Sequence, residues 1–195
     1  ESYFYADGLA KKAMLPVGYG HDGGQGTTNP YHLLAEATVS GTGARNITAV
    51  FLVSSYYSHS RGILFVQGRI DGSGTAINTS YTNAKWLMRE TGLDVSKFIL
   101  TTKATSDSLT CRLYYKVTAT WSHARIRLLD DGSWEQPTIN WKLYTSNTNT
   151  AGNYVFASIP SDETQFESVD STSSSTATQL ATTRNIWGQN FNGTS

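Results

Sequence analysis

From Leu109 to Thr120 the chain alternates with period two: Leu109, Cys111, Leu113, Tyr115 and Val117 fall on one side, Thr110, Arg112, Tyr114, Lys116 and Thr118 on the other. Successive side chains of a strand point to opposite faces, so this spacing predicts a strand with one apolar face turned inward and Arg112 and Lys116 turned out. The pattern repeats from Trp121 to Leu129, where Ala124, Ile126 and Leu128 oppose Arg125, Arg127 and Leu129. Two half-buried strands close together in sequence already commit the chain to a sheet.

Further runs carry the same message. Tyr31 to Val39, Lys97 to Thr102, Ile139 to Tyr144 and Asn153 to Ile159 are rich in apolar and β-branched residues, and Ala84 to Met88 is read as a strand that Gly92 stops. Asn46 to Ser54 and Gly62 to Ile70 are nearly continuous apolar runs, which suit central strands covered on both faces, either within a sandwich or at a subunit interface. Turn signals separate them at Asp71-Gly72-Ser73-Gly74 and Asp130-Asp131-Gly132-Ser133. With 195 residues there is room for one main core. The expected architecture is all-β: an antiparallel β-sandwich, jelly-roll-like, over residues 30–160. An N-terminal connector is expected over 1–29, where glycines crowd Gly18 to Gly26, and a Ser/Thr-rich linker leading into a further segment over 161–195.

Composition removes several functions. The formal net charge is zero, so nothing supplies the basic footprint of a nucleic-acid binder or a field for anionic membranes. No apolar run is long enough to cross a bilayer as a helix, and no signal sequence is read at the N-terminus. Cys111 is the sole cysteine, expected as a buried thiol, which excludes an intrachain disulfide framework and a cysteine-based metal cluster. The sequons at Asn46, Asn78 and Asn192 are read as products of a Thr-rich composition.

Two stretches resemble tail-fibre proteins of phages and prophages, including those of gut Bacteroidetes. The closing Thr183-Arg184-Asn185-Ile186-Trp187-Gly188-Gln189-Asn190-Phe191-Asn192-Gly193-Thr194 looks like the Trp-Gly-Gln-x-Phe-Asp/Asn-Gly-Thr linker found there ahead of a following segment. From Tyr31 to Tyr144, the internal Trp86 before Gly92-Leu93-Asp94, then Leu113-Tyr114-Tyr115-Lys116 and Trp121, is similar to the β-sandwich domain repeated along such fibres. The resemblance implies a homotrimer in a virion tail appendage, made in the cytoplasm of a bacterial host, that attaches to surface glycans or proteins alongside other fibre modules. Trp187 and Phe191 are the expected interface anchors, since a bare linker has no need of such large apolar groups.

Residues able to carry catalysis or hold a metal fall into turns rather than motifs. Asp22, Asp71, Asp94, Asp130, Asp131 and Glu135 lie mostly beside Gly or Ser in turn contexts and form no recognisable hydrolase pair. Asp130, Asp131 and Glu135 lack the spacing of a calcium loop, and His21, His32, His59 and His123 lack zinc-ligand spacing. There is no Gly-x-Ser-x-Gly elbow and no dinucleotide fingerprint, so neither an enzyme nor a cofactor is expected. For a glycan binder the useful groups are ring faces beside side chains that hydrogen-bond hydroxyls. Tyr56, Tyr57, His59 and Arg61 offer them in one loop, Trp134 and Gln136 in another. Those rings could instead pack across subunits or against a neighbouring module, since aromatics are enriched at interfaces generally. The competing reading is a carbohydrate-binding module of a secreted bacterial glycan-processing protein, ordinarily monomeric.

Overall fold

The computed structural model describes residues 31–55, 60–117, 124–133, 139–144, 156–170, 184–186 and 189–191. The first strands are β1 (Tyr31–Ser40), β2 (Arg45–Ser55), β3 (Arg61–Ile70) and β4 (Asn83–Arg89). A 3-10 turn at Val95–Lys97 leads into β5 (Phe98–Ala104), β6 (Ser108–Lys116) and β7 (Ala124–Asp130). After these come β8 (Lys142–Leu143), β9 (Phe156–Ala157), β10 (Thr164–Asp170), β11 (Arg184–Ile186) and β12 (Gln189–Phe191). Among the described residues there is no α-helix. The all-β expectation is met, and the alternation in β6 and β7 points their faces as the sequence predicts: Leu109, Cys111, Leu113 and Tyr115 are buried, as are Ala124, Ile126 and Leu128. The run from Ile139 to Tyr144 shortens to the two residues of β8. Thr118-Ala119-Thr120, the end of the longest predicted strand, and Trp121 to His123, the start of the next, lie outside the described residues.

The strands join in one curled, mixed sheet, half of a barrel, in the order β7-β2-β3-β4-β10-β5-β6-β1-β8, with β9 also on β1. Its pairings are antiparallel except one, β10 running parallel to β4 through Ser168↔Ala84, Val169↔Lys85 and Asp170↔Trp86. β10 therefore joins two half-sheets: one of β7, β2, β3 and β4, the other of β5, β6 and β1. It lies beyond residue 160, so the sheet takes in part of the stretch whose composition reads as linker. Ser171 to Thr176, the core of that reading, falls outside the described residues.

The concave sides of the half-sheets share one core. Phe51, Val53, Leu64, Val66 and Trp86 come from one half, and Phe98, Leu100, Leu113 and Tyr115 from the other. Trp86 meets Phe98 edge-on at 5.1 Å, and Phe98 meets Tyr115 at 5.0 Å, an arrangement aromatic rings favour. The halves approach closely where β3 crosses β6: a Cβ on Gly68 would overlap Cys111 Sγ. Only glycine fits there without displacement. Trp141 packs edge-on against Phe51 at 5.2 Å and donates from Nε1 to the Thr48 carbonyl at 3.1 Å, so its one polar atom is satisfied in the core.

Candidate functional site

The root of the β2–β3 hairpin is held by backbone and side-chain bonds together. Ser54 pairs with Arg61, and Ser55 N donates to Ser60 O at 2.9 Å. Arg61 N donates to Glu90 Oε2 at 2.9 Å, Glu90 N donates to Arg61 O at 2.8 Å, and Ser60 Oγ donates to Thr91 O at 3.1 Å. These bonds fix the hairpin root to the turn that follows β4. Of the six residues expected to contact ligand, Arg61 is described: it opens β3 and is exposed. Tyr56, Tyr57, His59, Trp134 and Gln136 lie outside the described residues, as does Trp187. Phe191 closes β12, which pairs with β11 through Arg184↔Phe191.

The anchors of the two expected ligand loops are far apart. Ser55, before the first loop, pairs with Ala124 at the start of β7, whereas the second loop follows Asp130 at its end. The length of β7 separates the two anchors by about 20 Å at ~3.3 Å per residue. The second anchor is a tight turn: Gly132 has φ +68°, its N–H donates to Asp130 Oδ1 at 2.7 Å, and Ser133 N donates to Asp131 Oδ1 at 3.1 Å. Both aspartates thus accept from the backbone of their own turn, the role the sequence assigns them. Asp71 instead accepts from side chains: a hydrogen bond from Arg69 Nε at 2.6 Å, with one from Asn78 Nδ2, holds its carboxyl below the usual range. No group of three or more His, Cys, Asp or Glu that could hold a metal comes together among the described residues.

A polar constellation that the sequence did not single out lies on the convex side of the β5-β6-β1 half. Arg112 is held between two carboxylates, donating from Nε to Glu36 and from Nη1 to Glu163. Thr101 Oγ1 donates to Glu163 Oε2 at 2.5 Å, and Tyr144 OH donates to Glu36 Oε1 at 3.1 Å. The Glu163 side chain is only 1% exposed, which closes it to a substrate. A buried carboxylate needs a partner, and Arg112 supplies it. The cluster fastens the turn before β10 to the sheet. Arg112 was expected on this outward face; its partners stand 76 and 51 residues away in sequence, beyond the reach of any spacing rule.

The convex side of the other half differs. Val50, Leu52, Ile63 and Phe65 face outward and are half-buried, while Leu87, Met88 and Val169 are 53%, 53% and 51% exposed. Arg61 and Arg127 are exposed at its margin, with Arg125 half-buried beside Ser54. The near-continuous apolar runs of β2 and β3 are thus covered on the concave side and incompletely on the convex side. No protein-family model, no curated protein and no solved structure matches the chain.

Proposed function

We propose that the chain is a non-enzymatic module of a phage tail fibre or similar virion appendage, a sandwich-like, jelly-roll-related domain that assembles as a homotrimer and attaches to bacterial surface glycans or proteins. The observation that carries the self-associating part is the apolar convex face. All five large apolar residues that are exposed among the described ones, Tyr81, Leu87, Met88, Leu129 and Val169, belong to the β7-β2-β3-β4-β10 side or its connecting loop. Apolar surface gathered in this way marks contact sites. The appendage assignment rests on the Trp187 linker and the fibre-like strand pattern of the sequence.

Sedimentation of the whole chain tests the assembly. A trimer is expected for the parent protein, and Leu87→Lys with Met88→Lys should shift it toward monomer while leaving the thermal unfolding transition intact. A parent that sediments as a monomer overturns the trimer, and a monomer that binds glycan supports the carbohydrate-binding-module reading instead. Attachment is tested by binding of the purified chain to intact Bacteroidetes cells, and glycanase activity by release of oligosaccharide from their capsules.

A further inference from the structure

We infer that the corner of the convex face where Arg61 and Arg127 are exposed beside the half-buried Arg125 is a site for an anionic glycan, one that carries carboxylates; the inference rests on the attachment reading above and names its ligand class. Arg125 and Arg61 flank Ser54 in one cross-strand row, through the pairs Ser54↔Arg125 and Ser54↔Arg61. Arg127 pairs with Leu52 in the next outward row, and Leu52 pairs in turn with Ile63. Strands ~4.8 Å apart put the backbones of Arg61 and Arg125 about 10 Å from each other, and Arg127 lies ~7 Å along the strand from Arg125. Three guanidinium-bearing residues thus gather at one margin of a chain whose formal net charge is zero.

Glu90 follows β4 and stands beside Arg61, whereas Asp130 closes β7 at its other end, ~10 Å beyond Arg127. Glu90 accepts from the N–H of Arg61, and Asp130 from the N–H of Gly132. A guanidinium matches a carboxylate through two parallel hydrogen bonds, which selects planar anions over neutral hydroxyls. Ser54 supplies a hydroxyl within the row. Leu52, paired with Arg127, supplies an apolar shelf on which the C–H face of a sugar ring can lie, while Ile63, paired with Met88, belongs to the assembly face. The pattern is that of a site binding acidic sugar units, with charge giving selectivity and the shelf giving contact area.

The test uses the whole chain with polygalacturonate and polysialic acid as probes and dextran as the neutral control. The expected result is binding to at least one polyanion, weakened roughly tenfold or more by Arg61→Ala with Arg127→Ala. Arg127→Lys in place of Arg127→Ala should restore part of the loss, with an unchanged unfolding transition as the control on folding. Binding to neither polyanion, equal binding to dextran, or full binding by the double variant overturns the inference. A double variant that alters sedimentation without affecting polyanion binding assigns the arginines to a protein contact and also overturns it. Cell binding that survives in the double variant leaves attachment standing and removes the anionic ligand; cell binding absent from the parent removes attachment whatever the polyanions do.

Discussion

Gly68 and Cys111 set how closely the two halves of the sheet approach, and one methyl group measures it. Because a Cβ at position 68 would overlap Cys111 Sγ, Gly68→Ala should destabilise the chain by roughly 1–3 kcal/mol, the usual cost of overpacking. Cys111→Ala in the same chain should recover much of that loss. Additive costs in urea denaturation would show that the two positions do not meet. Burial also raises the thiol of Cys111 and the phenol of Tyr114, so both hold their protons more tightly when folded. Each group's contribution is complete below its unfolded pKa, about 8.5 for the thiol and about 10 for the phenol, and is lost as pH rises beyond it toward the folded value. Urea midpoints should therefore fall from about pH 8 to about pH 11, and Cys111→Ala should remove the earlier part of the fall. A flat or rising profile contradicts this.

β10 is held between β4 and β5. Trp86 Nε1 donates to Ser168 Oγ at 2.9 Å, and Ser168 Oγ donates in turn to Val95 O at 2.5 Å, linking β4, β10 and the turn before β5. Ser168→Ala should cost about 1–3 kcal/mol, read as a lower thermal midpoint, because buried polar atoms lose their partner. An unchanged midpoint would mean that these bonds contribute nothing. The sequence reveals β6 and β7 plainly, since period-two alternation reports a half-buried strand whatever surrounds it. It conceals β10: Phe166 and Val169 fall on opposite faces, and the inward Ser168 is polar, so no alternation announces a strand. The two half-sheets, by each leaving an edge for it, determine that β10 is a strand. The candidate site divides in the same way. Arg125 and Arg127 are legible as outward residues of an alternating strand, but their approach to Arg61 depends on the register of β7 against β2 and β2 against β3, which only the fold supplies.

At the scale of the whole molecule, the two convex sides have different chemistry, one a network of Thr, Glu and Arg, the other apolar with a basic margin. The assembly proposed for the apolar side and the glycan binding proposed for the arginines should respond to salt differently. Raising salt to about 0.5 M should leave the sedimentation of the proposed trimer unchanged while weakening polyanion binding, because screening acts on exposed charge and not on apolar burial. A trimer that dissociates in salt would show that charge holds it together.

The position of β10 in the sheet also has a kinetic side. β4 and β5 are made well before residues 164–170, and each keeps one edge without a hydrogen-bonding partner until β10 arrives between them. On a ribosome, the nascent chain would carry two sticky strand edges through the synthesis of some sixty further residues, counting from Ala104 to Thr164. Open edges of that kind recruit other chains. Yield of the intact protein should then depend on how quickly β10 is delivered, and a chain stopped before Thr164 would be left as an aggregation template.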